Sequence, residues 1–301
     1  MSKETMKVWF QASRPPYFIT SFIPLTIGWV LAGADGNWHP WRFFLVALGS
    51  FFIHLVTNLA NDYFDHIQGA DGEHSIGGSR VLQEGKISLQ ALKKAIILLY
   101  LAAGAIGSYL VVSLNLWLMM PFVLFSLLSS FFYVAPPIRY GYRGLGEVFV
   151  AINMGPIIVV GTYWVMTGSP AWLPFYISLP IGLMVASILY YQNIPDIDTD
   201  RQVGKNTIAV RLGHKNAVRG FIVLMGAIYA SIALLVLTKQ LPSEATTCFL
   251  SIFILLALLK HLKQTNDPVV MDNYGKYVRI IYFFNGMIIL LSLLYTKIWF
   301  P

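Results

Sequence analysis

The sequence predicts an all-α membrane protein, with nine transmembrane helices in one bundle around a central cavity and the N-terminus cytoplasmic. Three observations lead there. Of the 301 residues, 56% are hydrophobic and only 12% charged, with mean hydropathy +0.64; a soluble domain carries roughly 25% charged residues. Apolar stretches long enough to cross a hydrocarbon core of about 30 Å as helices recur along the whole chain. The lysines and arginines between those stretches fall almost entirely on one side.

The expected spans follow in order. The first, 17–34, comes after Lys3, Lys7 and Arg14 and ends in Ala32-Gly33-Ala34, which imitates the cleavage site of an export leader. Pro24 inside the run, and a chain that goes on in the same apolar vein, make it the first span. Then come 41–61, 91–113, 115–134, 147–168, 171–192, 217–238, 243–262 and 279–299. Pro24, Pro121, Pro156 and Pro180 fall inside spans, where neighbouring helices can satisfy the backbone groups that proline frees. The whole chain, 1–301, reads as a single membrane domain of two loose halves, about 1–145 and 146–301, alike in topology more than in letters.

Of the 21 lysines and arginines, only Arg42, Lys239 and Lys297 lie outside the N-terminal segment and the even-numbered loops. The positive-inside rule places that charged side in the cytoplasm, as in a multi-pass protein of a bacterial-type inner membrane. The net charge of +7 is therefore topogenic; it forms no patch for nucleic acid, and no nucleic-acid partner is expected. Cys248, the single cysteine, excludes an internal disulfide framework.

The same side carries all the acidic residues except Asp35 and Glu244, and half of them gather in two clusters. The first, Asn58-Leu-Ala-Asn61-Asp62-Tyr-Phe-Asp65 followed by Asp71, closes the second span. The second, Asn193-Ile-Pro-Asp196-Ile-Asp198-Thr-Asp200-Arg201, closes the sixth. Carboxylates beside a bilayer are costly and mark function. Residues three or four apart share a helix face, so Asn58, Asn61 and Asp65, and likewise Asp196 and Asp200, can each aim oxygens at one point. Two such faces opposed across a cavity suit Mg²⁺, a hard cation held by a few carboxylates together with substrate phosphates. Arg80, Lys205 and Arg211, in the same loops, offer positive charge to a diphosphate.

Gly77-Gly78-Ser79-Arg80 and Gly204-Lys205-Asn206-Thr207 lack the spacing of a nucleotide P-loop, and a loop lid is the better use of the first. His54, His66 and His74 have no histidine partner one turn away and receive no metal. Tyr140, Tyr142 and Arg143 in the third cytoplasmic segment, with Tyr190, Tyr191 and Asn193 before the second cluster, are candidates to line a site where a cation develops against aromatic rings.

These residues resemble the intramembrane aromatic prenyltransferases of the ubiquinone and menaquinone pathways. Asn61, Asp62 and Asp65 match that family's Asn-Asp-x-x-Asp motif, and Asp196 and Asp200 its Asp-x-x-x-Asp motif; the resemblance covers essentially the whole chain. Asn61–Asp65 with Gly69-Ala70-Asp71, Tyr140–Glu147 and Gly204–Gly213 look most like the 1,4-dihydroxy-2-naphthoate branch. The 4-hydroxybenzoate branch usually has Asp where Gly69 stands, whereas Pro195 takes a place where many naphthoate enzymes have Arg.

The resemblance implies Mg²⁺ on Asp62, Asp65, Asp71, Asp196 and Asp200, and a diphosphate held by Arg80, Lys205, Arg211 and Asn61. Tyr140, Tyr142, Arg143, Tyr190 and Asn193 would surround the allylic cation and its acceptor. The implied partners are a polyprenyl diphosphate, a naphthoate-type aromatic acceptor and membrane lipid. Acceptors such as 4-hydroxybenzoate, homogentisate or a lipid are alternatives within the same class. The alternative in another class is a secondary transporter for protons or metal ions, but transporters place such groups near the bilayer midplane and not at one face.

Overall fold

The computed structural model describes residues 3–69, 78–265 and 267–296, and every regular element among them is helical. A short helix α1 (Lys3–Ser13) precedes α2 (Ile19–Ala34) and α3 (Pro40–Ile67). Next come α4 (Leu89–Ser113), α5 (Met120–Phe132), α6 (Gly146–Ile152), α7 (Ile158–Thr167) and α8 (Trp172–Gln192). The chain closes with α9 (Ile197–Gln202), α10 (Ile208–Leu237), α11 (Ile252–Leu262) and α12 (Pro268–Leu294). Among the described residues, eight helical segments are long and apolar enough to cross a membrane. The protein is a multi-pass, all-helical membrane protein.

The expected span 115–134 differs. It is present as an apolar helix over Trp117–Phe132, shorter than the other eight. Asn115 in a left-handed turn (φ 57°) delays its start, and the Pro136-Pro137 pair follows its end. At 1.5 Å per residue it covers about 24 Å, short of the hydrocarbon core. Elsewhere the helices outrun the apolar runs. Helix α3 continues to Ile67 and so carries Asp62 and Asp65 inside its last turns; α10 begins at Ile208 with a kink at Gly213 (φ 70°), and α12 begins at Pro268. Caps set these starts: Ser88 accepts from Ala91 N–H at 3.2 Å, Thr207 from Val210 N–H at 3.2 Å and Asp267 from Val269 N–H at 2.9 Å.

The larger apolar cluster draws Ile23, Ile27 and Leu31 of α2 together with Val159, Ile181, Met184, Phe221 and Ile281, so packing crosses the 145/146 boundary. The smaller cluster joins Ala12, Val56, Leu59, Val81, Leu92 and Tyr142 beneath the first acidic motif. Between α6 and α7 the chain makes one π-helical turn, Asn153–Ile157, at Pro156. There Gly155 meets α8: a methyl on Gly155 would lie 2.7 Å from the Ser178 carbonyl, and one on Gly182 would run into the Ala151 carbonyl. Such close backbone approach through small residues is how helices associate in lipid.

A cavity of about 330 Å³ lies between α2, α3, α4, α5, α6–α7 and α8. Its α3 wall runs from Leu45 and Val46 through Gly49, Ser50, Ile53, His54, Thr57 and Asn58 to Asn61, positions recurring at three and four residues that turn one stripe inward. From Leu45 to Asn61 that stripe rises about 24 Å. The wall is apolar at the end marked by Val46, Leu110 and Phe122, and polar at the end marked by Asn61, Arg14 and Gln192.

Candidate active site

The polar end of the cavity is where the two acidic motifs come together. Asp62 and Asp65 stand on the last turns of α3, each 3% exposed. Asp62 accepts from the Arg14 guanidinium and the Ser79 hydroxyl, and from the Ser79 N–H at 3.3 Å. Asp65 accepts from the Tyr142 hydroxyl at 2.6 Å. From the other motif Asp200, 6% exposed on α9, is 3.1 Å from the Lys205 ammonium, and the chain closes a turn there with Lys205 N–H donating to the Asp200 carbonyl at 2.9 Å.

Lys205 also feels Asp65, and its ammonium is 5.8 Å from the centre of the Tyr142 ring. Burial alone would lower the Lys205 pKa, but Asp200, then Asp65, Tyr133 and Asp196, outweigh it and hold the ammonium protonated well into the alkaline range. Burial pushes the Asp200 carboxyl above its ordinary value, against the pull of Lys205.

Tyr142 is the centre of this arrangement. It sits in a single 3₁₀ turn, Tyr140–Arg143, closed by Gly144 at φ 68°, a conformation glycine adopts without strain. A side chain on Gly144 would also crowd the Asn206 carbonyl at 3.1 Å. Asn206 N–H donates to the Tyr142 carbonyl at 2.8 Å, and Arg211 donates to the Arg143 carbonyl at 2.7 Å. The 140–143 turn thus bonds to the first motif through Asp65 and to the loop and helix after the second through Asn206 and Arg211.

The expected site residues divide. Asn61 and Tyr140 line the cavity, and Asp62, Asp65, Asp200, Lys205 and Tyr142 cluster beside its polar end, outside the lining, where the lining residue Arg14 reaches Asp62. Asp196 is partly buried in the same turn, its carbonyl accepting from Asp200 N–H at 2.8 Å. Others are placed elsewhere. Tyr190 turns away from the cavity and donates to the Ala217 carbonyl of α10 at 3.0 Å. The cavity face of α8 is Val185, Ile188, Leu189 and Gln192, and a residue two before Gln192 points to the opposite side at about 100° per residue.

Asn193 is tied to buried Glu147 at 3.0 Å, and Arg143 is exposed and donates to the Pro137 carbonyl at 3.2 Å. Arg80 lies 4.0 Å from Glu84 in the loop after the first motif; Arg211 serves the 140–143 turn as described. Asp198 is exposed, paired with Arg201 and His214. Asp71 and Gly77 lie outside the described residues.

Sequence reasoning missed Arg14, Ser79 and Gln192. Arg14 counted only as a topogenic charge, yet its left-handed backbone (φ 51°) between α1 and α2 aims it at Asp62. Gln192 donates to the Tyr17 hydroxyl at 2.7 Å, which Arg279 also approaches at 3.4 Å. A positive residue one step before Pro15-Pro16 was the available signal, because a rigid turn there fixes where the side chain points.

The donors here are hard oxygens, and Asp200 Oδ2 is buried with no hydrogen-bond partner, an acceptor left for a cation. Among the described residues no three acidic, histidine or cysteine side chains converge tightly enough to hold a metal ion alone. Mg²⁺ is commonly bound through one or two carboxylates plus substrate phosphates, and this donor set fits that mode.

Buried carboxylates from two distant motifs thus come together beside the polar end of a cavity in a multi-pass helical membrane protein. Residues 21–298 match the UbiA prenyltransferase family, and the chain belongs to that family; it is a prenyltransferase. The transport reading is thereby set aside.

The chain is 33% identical over 277 residues to the 1,4-dihydroxy-2-naphthoate octaprenyltransferase of Haemophilus influenzae, covering 87% of this chain and 86% of that one. It is 27% identical over 295 residues to the 2-carboxy-1,4-naphthoquinone phytyltransferase of Synechocystis, covering 94% and 92%. The solved structure of a UbiA homolog from Archaeoglobus fulgidus bound to GPP and Mg²⁺ superposes with TM-score 0.61 over 94% of this chain and 99% of that one, at 14% identity, and so shares the fold.

Proposed function

We propose that the protein transfers a polyprenyl group from a prenyl diphosphate to 1,4-dihydroxy-2-naphthoate, with loss of the ring carboxylate, in a Mg²⁺-dependent reaction at the cytoplasmic face of a bacterial-type inner membrane. The observation that carries this is the meeting of Asp65 and Asp200 around Lys205, with the Asp62–Arg14 pair, beside the polar end of the cavity. The names of the relatives from Haemophilus influenzae and Synechocystis support the naphthoate acceptor.

Asp62, Asp65, Asp196 and Asp200 would hold the metal, with Asp71 following the first motif. When bound, Mg²⁺ would supply positive charge to the diphosphate oxygens as the C–O bond to the prenyl group breaks. Lys205 and Arg14, with Arg80 on the neighbouring loop, meet the charge that grows on the departing diphosphate. Asn61 lines the junction of polar end and cavity, where it can hold the diphosphate against the tail. The tail would lie along the apolar wall, which limits the water that reaches the cation. Tyr140, with Tyr133 at 5.5 Å and Phe149 stacked at 4.1 Å, presents aromatic surface to that cation.

The bond-making is balanced without a dedicated base. The diphosphate leaves with the C–O electron pair and the ring forms a C–C bond to the prenyl carbon. The carboxylate departs as CO₂ with its bonding pair returned to the ring, so no proton is left over. Geranyl diphosphate and 1,4-dihydroxy-2-naphthoate incubated with the purified protein should give a prenylated, decarboxylated naphthol by mass spectrometry, with Mg²⁺ and not with EDTA. Product from 4-hydroxybenzoate or homogentisate but not from the naphthoate would overturn the acceptor assignment and leave the class.

A further inference from the structure

Both acidic motifs are already matched by a cation of the chain itself. Arg14 and Ser79 occupy Asp62. Lys205 occupies one oxygen of Asp200 at 3.1 Å, with side chains 18% and 9% exposed, and faces the Tyr142 ring whose hydroxyl holds Asp65. The other oxygen of Asp200 is buried without a hydrogen-bond partner. Among the described residues the acidic side chains do not gather as a three-ligand metal group. Carboxylates are present in number, yet they are spread around Lys205.

We propose that Lys205 sets what this site accepts: a divalent cation paired with a diphosphate, and not the bare cation. The proposal rests on the metal–diphosphate reading above and adds a condition to it. A cation arriving alone at the unpartnered oxygen of Asp200 must share that one buried carboxylate with the Lys205 ammonium, two positive charges on one counter-ion, which is unfavourable. A diphosphate arriving with the cation removes that obstacle, because its oxygens take the ammonium as Asp200 turns to the metal. Lys205 is thus exchanged from one anion to another and is never left unpaired. Cation and diphosphate then strengthen each other's binding by the same factor, as linkage requires.

The test is Mn²⁺ binding to the purified protein by electron paramagnetic resonance, with and without inorganic pyrophosphate, referenced to protein-free Mn²⁺–pyrophosphate. In the unaltered protein pyrophosphate should tighten Mn²⁺ by about tenfold or more, within the usual range of coupling between sites. In Lys205→Met, Mn²⁺ alone should bind about tenfold tighter than in the unaltered protein, and pyrophosphate should add little further. Lys205→Arg should keep the original pattern. Should Lys205→Met not fold, as judged by its thermal unfolding midpoint, Lys205→Gln takes its place with the same expectation. Mn²⁺ binding equally well with and without pyrophosphate in the unaltered protein, or unchanged Mn²⁺-alone affinity in the neutral variants, would overturn the inference and leave the metal–diphosphate reading standing. No Mn²⁺ bound under any condition would overturn both.

Discussion

The Tyr142 hydroxyl donates to the Asp65 carboxylate at 2.6 Å across 77 residues of sequence. This contact joins the 140–143 turn to the first acidic motif, and the same ring faces Lys205 of the loop after the second. Replacing Tyr142 with Phe keeps the ring and removes the bond. A hydrogen bond to a charged group contributes roughly 1.5–3 kcal/mol, so Tyr142→Phe should lower the thermal midpoint in detergent and raise KM for the prenyl diphosphate. An unchanged midpoint would mean that the bond does not hold the motifs together.

Arg14 is the cation on Asp62, whose side chain is 4% exposed. Taking one partner from a buried pair costs roughly 3–5 kcal/mol. Arg14→Ala should therefore destabilise the protein far more than Lys7→Ala, which loses only an exposed contact to Glu4. Denaturation of the two variants side by side checks it.

Asp65→Asn and Asp200→Asn keep size and remove the charge. Even partners one step removed from a metal cost roughly 10–100-fold on mutation, so each variant should lose at least about 10²-fold in turnover while remaining folded. Rates near the original in both would end the assignment of these carboxylates to the metal and diphosphate. Asp198→Asn, at an exposed pair with Arg201 and His214, should stay close to the original rate.

Stability against pH should report Lys205 and Asp200. Lys205 has a folded pKa raised above its ordinary value, so its contribution is complete below the ordinary lysine pKa of 10.5 and is lost as pH rises through the folded one. Asp200 is raised by burial, so ionising it above its ordinary 3.8 works against folding, and Lys205 offsets this. The surrounding Asp65, Asp196 and Tyr133 reinforce the hold on Lys205. The unaltered protein should keep a level thermal midpoint across neutral pH. Lys205→Met, with the offset gone, should lose midpoint as pH rises from the acid side. Parallel profiles for the two would show that the pair does not govern pH dependence.

Gly182→Ala should destabilise, because the added methyl runs into the Ala151 carbonyl of α6 where only backbone could yield. Overpacking of this kind costs roughly 1–3 kcal/mol. Gly161→Ala, where the methyl meets nothing within 4 Å, is the control and should be neutral.

The sequence by itself determined what one element can determine. Length and apolarity marked the helices, because a bilayer admits few other ways to cross it. Asn58, Asn61 and Asp65 were legible as one helix face because helical spacing alone sets a face. Lys205 was legible as a cation for the site from its place beside the second motif.

Only the tertiary structure decided which groups meet. Tyr190 and Asn193 stand beside the second motif in sequence, yet α8 turns Tyr190 to α10 and Glu147 takes Asn193. Arg14 stands far from any motif in sequence and lands on Asp62. The shortened helix over Trp117–Phe132 follows from a left-handed turn at Asn115 that apolarity does not show. The reason is physical: a repeat of 3.6 residues fixes direction within one helix, whereas contacts between helices depend on how their backbones pack, through glycines such as Gly155 and Gly182 and a turn such as Tyr140–Arg143.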